Sequence, residues 1–408
     1  MLIIQKFGGT SLASIERIEK AADIVANARA LGHEIVVVVS AMAGETDRLI
    51  QLAEKMQLTS TTREYDALVS TGECVSAALL AAALQARNIA AISLTGKQAH
   101  IQTSGSHGRA RITHIGNIIS KQLSKKIIPV ITGFQGINAK GDVTTLGRGG
   151  SDTTAVAIAG KLNAHECQIY TDVTGVYTGD PRMISDARLL SHITYAEMLA
   201  LSSLGAKVLH PHAVIFAKKH NIPVRILSSF DSGDGTLITA NTALKKPRVS
   251  GIAFEKKQAK ISILGIANET MITEQIMPAL DKENFDVDMM VQNHTEQNTI
   301  DFTFTVHAED GERAKIFAKK IANDIAAHEI SIDQQVAKLS LVGLGMKSHA
   351  GIASKIFQAL GEANTLIQLI TSTETKISTI IDSRHLETAA QCLHAAFSLE
   401  KNDIQLVI

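Results

Sequence analysis

Two apolar runs near the amino terminus, Leu2–Phe7 and Ile35–Val39, limit what this chain can fold into. The second holds no polar residue, so a strand there must be covered on both faces. Between the runs, Ile15, Ile18, Ala22 and Val25 recur at helical spacing, with Ser14 placed to cap the helix and Gly32 to end it. Short runs at Ala91–Leu94, Ile127–Thr132 and Gln168–Thr171 then alternate with helical stretches such as Glu73–Arg87. This order predicts an α/β layer fold with a mainly parallel central sheet. In such sheets ligands bind beyond the carboxyl ends of the strands.

At 408 residues the chain is too long for one small core. The alternation breaks near Asn241–Gln258, where Lys245-Lys246-Pro247-Arg248 reads as a linker or hinge. Beyond it lies an internal repeat. Lys260-Ile261-Ser262-Ile263-Leu264-Gly265 matches Lys338-Leu339-Ser340-Leu341-Val342-Gly343, and both copies reach an Asn (Asn284, Asn364) before a second apolar run. Each copy reads β-α-β-β and then a helix, a small αβ sandwich used twice. Duplication alone leaves open whether the pair does more than mediate dimerisation.

Lys plus Arg and Asp plus Glu both number 40, so no net charge draws the chain to nucleic acid or anionic lipid. Trp is absent and aromatics make up 4%, too few for a base-stacking platform. The cysteines, Cys74, Cys167 and Cys392, are far apart, which suggests reduced thiols in a cytosol. Met1–Lys6 lacks the character of a signal peptide, and the longest apolar runs are too short to span a membrane. The expected location is cytoplasmic.

Neither G-x-x-x-x-G-K-[ST] nor G-x-G-x-x-G occurs. Lys6-Phe7-Gly8-Gly9-Thr10-Ser11 offers another phosphate arrangement. A lysine ends a buried strand, glycines allow close backbone approach, and hydroxyls precede a helix N-terminus. A plain glycine turn with a snorkelling lysine remains the competing interpretation. In Gly147-Arg148-Gly149-Gly150-Ser151-Asp152, glycines, an arginine and an acid precede an apolar helix. Arg148 can grip a carboxylate in two places, and Asp152 can orient an ammonium or a metal; alternatively Ser151 or Asp152 is only an N-cap. Thr171–Arg182 leaves a strand carrying Asp172, Tyr177, Asp180 and Arg182, a nucleotide cradle or an ordinary loop. Ser40 ends the second strand, Thr46 follows in a polar turn, and Glu73 opens a helix, where an acid is commonly just a dipole partner. The 15 histidines, His210 and His212 included, read as structural or surface groups.

Taken together the chain resembles the aspartokinases of the amino acid kinase family. The resemblance rests on KFGGTS (Lys6–Ser11), VVSAM (Val38–Met42), Ser70-Thr71-Gly72-Glu73, GRGGSDTTA (Gly147–Ala155), TDVTGVYTGDPR (Thr171–Arg182) and GAKVLHP (Gly205–Pro211), in that order. VQN (Val291–Asn293) and GMKSHAG (Gly345–Gly351) resemble motifs of the paired ACT domains of that family. The resemblance implies an amino acid kinase-type sandwich followed by two ferredoxin-like ACT modules. Its divisions are a catalytic domain over 1–240, a linker and first regulatory strand over 241–258, and ACT domains over 259–335 and 336–408.

It also implies phosphorylation of the side-chain carboxylate of L-aspartate by ATP, with Mg²⁺ held mainly by the nucleotide and no metal site of the protein's own. Lys6 would stabilise the transferring phosphoryl group and Asp152 would hold Lys6. Ser40, Thr46, Glu73, Arg148, Gly149, Gly150 and Ser151 would bind aspartate, Glu73 taking its ammonium and Arg148 its α-carboxylate. Lys6, Phe7, Gly8, Gly9, Thr10, Ser11, Thr171, Asp172, Tyr177, Thr178, Gly179, Asp180, Arg182 and Lys207 would bind ATP, with Gly8 and Gly9 offering amides. Lysine or threonine would act as effector at Asp286, Gln292, Asn293, Thr373 and Glu374. The implied assembly is a homodimer through the ACT domains, without nucleic acid or membrane. Two departures stand out: Asn268-Glu269-Thr270-Met271 replaces the family's Asp-x-Pro-Gly, and Ala350 stands where Pro is usual. Met198 and Met271 are poorly placed to start a separate tail subunit, so one full-length chain is expected.

Overall fold

The computed structural model describes residues 1–204, 208–240, 248–267, 272–283, 285–296, 299–346 and 350–401. The chain forms two compact units, Met1–Tyr177 with Leu189–Lys245, and Thr178–Arg188 with Lys246–Ile408.

The first unit is built on an eight-stranded sheet. From one edge its strands are His192–Thr194, Thr236–Thr239, Val224–Ser228, Glu166–Thr171, Leu2–Phe7, Glu34–Val39, Ile128–Thr132 and Ala91–Leu94. Neighbours are parallel except where Val224–Ser228 meets Thr236–Thr239. Leu2–Phe7 and Glu34–Val39 lie side by side at the centre, and Ile35 through Val39 are fully buried. Ile15–Ala30 and Thr71–Ala86 cover one face, burying Ile18, Ala22, Val25, Leu80 and Leu84 with Ile35, Val37 and Val39. The first helix is capped as its sequence predicts, the Ser14 side chain accepting from Arg17 N–H. Gly150–Leu162 packs against the central strands, with Ala155 through Ala159 buried.

A second sheet of four short strands, not expected from the sequence, has the order Arg111–Ile115, Ile101–Ser104, Gln135–Ile137, Val143–Thr145. Strands of three to five residues with polar faces carry too little periodicity to be recognised alone. Arg63–Ala86 is the one helical span among the described residues long and apolar enough to cross a membrane, and 56% of its apolar window is buried inside the protein.

In the second unit both repeats share one antiparallel six-stranded sheet, in the order Met290–His294, Ile300–His307, Arg248–Ile266, Glu329–Leu344, Lys376–Asp382, Leu369–Ser372. Each copy has its own apolar core. One holds Ile261, Ile263, Phe302, Phe304 and Ala318; the other holds Leu339, Leu341, Ile356, Ile377 and Leu393. The two long strands serve both copies. Lys260–Leu264 pairs with Glu329–Asp333, whereas Arg248–Glu255 pairs with Lys338–Leu344. The segment that follows the linker therefore completes the second copy, and Val249 and Ile252 lie in its core. Matching polar contacts mark the duplication. Lys338 meets Asp288 and Glu255, and the equivalent Lys260 meets Gln368.

Thr178–Arg188, assigned from sequence to the catalytic domain, belongs to the second unit. Met183 and Ile184 join the second copy's core, Thr178 Oγ1 lies 2.9 Å from His394 Nε2, and Gln391 donates to Met183 O at 2.9 Å.

Candidate active site

The centre of the first unit's sheet ends in the Lys6–Ser11 turn. Gly8 N–H donates to Tyr170 O at 3.0 Å, and Ser11 N–H donates back to Gly8 O. A Cβ on Gly9 would stand 3.0 Å from Ala41 O, so the turn is wedged between neighbouring strand ends. Two expected ligand contacts change. The Gly8 amide is already used, and Phe7 is fully buried, its ring stacked on Tyr170 at 4.8 Å. Ser11 is buried as well, donating to Tyr170 O and accepting from Ser229 Oγ. Among the described residues the Gly9 N–H has no backbone acceptor, and Thr10 is exposed.

Lys6 is 8% exposed, and its Nζ lies 2.6 Å from Asp152 Oδ1. Asp152 occupies the first turn of Gly150–Leu162, whose unpaired amides favour an anion. The N-cap of that helix is Gly149, in the left-handed region at φ 70°, with no side-chain cap bond. Capping therefore does not account for Ser151 or Asp152. Both are almost buried and Asp152 faces the lysine instead. Arg148 is exposed in the preceding loop and pairs with no carboxylate among the described residues.

Glu73, in the first turn of Thr71–Ala86, is 3% exposed. Its Oε1 accepts a long 3.4 Å bond from Ala41 N–H, and Oε2 has no partner. Burial pushes its carboxyl up to about 7, against the pull of two backbone hydrogen bonds. A surface dipole partner would not be buried this way. Gly72 permits it, since a Cβ there would meet Ala41 Cβ at 2.8 Å. Ser40 follows the second strand and Thr46 opens the Glu45–Lys55 helix; both are half-buried.

The expected nucleotide stretch divides. Thr171, Asp172 and Tyr177 stay in the first unit, with Tyr177 OH 2.7 Å from Thr174 Oγ1. Thr178, Gly179, Asp180 and Arg182 lie in the second. There the Thr178 hydroxyl also accepts from Arg188 N–H, and Arg182 closes a two-point ion pair on Asp180. That pair holds the Asp180 carboxyl below its ordinary value. Lys207 lies outside the described residues. The effector set divides too. Gln292 and Asn293 lie on the edge strand Met290–His294, with Asp286 exposed before it. Thr373 and Glu374 form the turn after Leu369–Ser372, the opposite edge of the sheet. Strand order thus keeps the two groups apart within one chain. The Asn268–Met271 loop is outside the described residues.

Two residues passed over in the sequence, and one histidine read there as structural or surface, adjoin the candidate site. Thr132 ends a central strand beside Val39, its hydroxyl buried without a partner. Phe134 holds φ 68°, unusual for a bulky side chain, and packs on Gly150. His210 stacks so closely on Gly149 that a Cβ there would overlap its ring. Burial lowers the His210 pKa, aided by His212 and Arg148 and opposed by Asp152. A glycine after an apolar strand, as at Gly133, was the available signal for the first two.

The chain is similar to known proteins along its whole length. The Amino acid kinase family profile matches residues 1–228, and an ACT domain profile matches residues 339–397. The aspartokinase of Pseudomonas aeruginosa is 49% identical over 98% of each chain, and aspartokinase 2 of Bacillus subtilis 42% identical over 98% of each. Among solved structures, E. coli aspartokinase III with aspartate and ADP, in its R-state, superposes with TM-score 0.77 at 25% identity, covering 97% of this chain and 99% of that one. The same enzyme with lysine and aspartate, in its T-state, gives TM-score 0.79 at 25% identity over the same shares.

Proposed function

The chain belongs to the aspartokinases of the amino acid kinase family, and from that premise we propose that its Lys6–Asp152 centre transfers the ATP γ-phosphoryl group to L-aspartate. The product is 4-phospho-L-aspartate, the opening intermediate toward lysine, threonine and methionine. Buried Lys6, 2.6 Å from Asp152 at a helix N-terminus, carries the reading. A carboxylate nucleophile with a pKa near 3.9 is ionised at neutral pH, so no general base is required. The protein must align two anions and offset their repulsion. Lys6 supplies the charge and Asp152 fixes its position. Glu73 is buried and short of a partner, which suits the substrate ammonium, and exposed Arg148 suits its α-carboxylate. Ser40, Thr46, Ser151 and the Gly149-Gly150 backbone complete the aspartate side. The Gly9 amide, Thr10 and the Thr171–Tyr177 loop serve the nucleotide.

Mg²⁺ would arrive on the phosphates, as an ion that keeps several waters and takes few protein ligands. The proposed division is 1–240, 241–258, 259–335 and 336–408, with 248–255 and 178–188 added to the second module; the two apolar cores and the ACT match support the separate tail modules. Lysine or threonine is the proposed effector. Because Gln292 and Thr373 sit on opposite sheet edges, a site using both needs a second chain, which supports the reading of a homodimer. A monomer in sedimentation that is still inhibited by either amino acid would contradict this. The proposed location is cytoplasmic.

Lys6→Ala tests the centre. ADP release on aspartate should fall roughly a hundredfold or more, and an unchanged rate would remove Lys6 from the mechanism.

A further inference from the structure

Asp66 is completely buried, yet nothing assigned so far to the reaction uses it. It lies on Arg63–Val69, and four donors converge on its carboxylate. Thr145 Oγ1 donates at 2.5 Å and Thr145 N–H at 3.0 Å. Gly108 N–H reaches both oxygens at 3.1 Å, and His107 Nδ1 lies 2.7 Å away. That fills most of what a carboxylate can accept.

Two of these partners adjoin the Arg148 loop. Thr145 is the last residue of its strand, three before Arg148. Gly147, at φ 76°, sits so close to Gly108 that a Cβ would be 3.1 Å from Gly108 O. Asp66 therefore holds both backbone points on which the near side of the loop rests. On its other side Asp66 leads into the Glu73 helix. Ser70 N–H donates to Asp66 O at 3.1 Å, and buried Gln135 Nε2 donates to Ser70 O at 2.8 Å. Glu73 follows within one turn.

We infer that Asp66 is a positioning residue that fixes Arg148 relative to Glu73, and so sets the span between the groups that take the α-carboxylate and the ammonium of the amino-acid substrate. This rests on the kinase reading above. Asp66 touches no reacting atom. Its loss should loosen amino-acid recognition while leaving the nucleotide side intact, because Lys6 and Thr171 lie on two paired central strands and Gly9 follows the first of them.

The test uses the full chain and begins with the wild type. If aspartate-dependent ADP release is absent there, the kinase reading fails, and the Asp66 assignment, which rests on it, falls too. With an active wild type, Asp66→Asn keeps the shape but turns one acceptor oxygen into a donor group. The expected result is a KM for aspartate raised roughly tenfold or more, with the KM for ATP within about twofold of wild type. Parallel changes in both KM values, or an unchanged KM for aspartate, would reduce Asp66 to a structural acid and overturn the assignment. If Asp66→Asn does not fold, Thr145→Val decides the matter by the same comparison. It removes a single donor, and the aspartate KM should rise severalfold, again without a change for ATP.

Discussion

Burial pushes the Glu73 carboxyl up to about 7, so near neutrality a large share of free protein carries it protonated. An incoming ammonium favours the ionised form and draws the pKa down. Aspartate binding at pH 7 should therefore release a fraction of a proton, readable by calorimetry in buffers of different ionisation enthalpy, and aspartate affinity should weaken as pH falls below 7. The stability consequence has the opposite sign. A folded pKa above the unfolded value means that stability from the protonated form is complete below about 4.5 and lost as pH rises through about 7. Glu73→Gln should stabilise the fold at pH 8, by on the order of 3 kcal/mol at most, and do little at pH 4. It should also abolish tight aspartate binding. A destabilised Glu73→Gln at pH 8 would show that the acid is a structural partner. Lys6 and Asp152 stood out in the sequence because glycines adjoin them, although a snorkelling lysine and an N-cap acid fitted the same motifs. Thr132 and His210 were not, because a hydroxyl or an imidazole gains meaning only once its neighbours in space are known.

At the scale of elements, the apolar central strands and their covering helices followed from local pattern, since burial on both faces leaves a continuous apolar signature. The repeat in the tail was equally plain. What local pattern could not supply was partnership between distant strands. Arg248–Glu255 lies in the stretch read as linker and first regulatory strand, but its partner was not legible: it pairs with Lys338–Leu344, about ninety residues on, and closes the second module. Ile252, 3% exposed, packs in that module's core. Ile252→Ala should cost about 2–5 kcal/mol in denaturant unfolding of the second unit. A cost under about 0.5 kcal/mol, ordinary for a surface position, would return the segment to linker status.

For the molecule as a whole, the covalent path matters. The stretch expected to cradle nucleotide leaves the first unit at Thr178, is built into the second through Met183, Ile184 and the His394 contact, and returns at Leu189. Sequence motifs place residues in order but do not say which core holds them, so this excursion was invisible until the cores were known. Under the proposed function, substrate identity is decided at this scale too, because Glu73, Arg148 and Lys6 come from separate elements. The most direct measurement is the initial rate of ADP release by the intact wild-type chain with ATP, Mg²⁺ and one of three acids: L-aspartate, L-glutamate or N-acetylglutamate. Release that depends on L-aspartate and exceeds that with either other acid by at least about tenfold is expected, since a misplaced acceptor carboxylate loses its alignment. Equal rates with all three, or none with aspartate, would contradict the assignment.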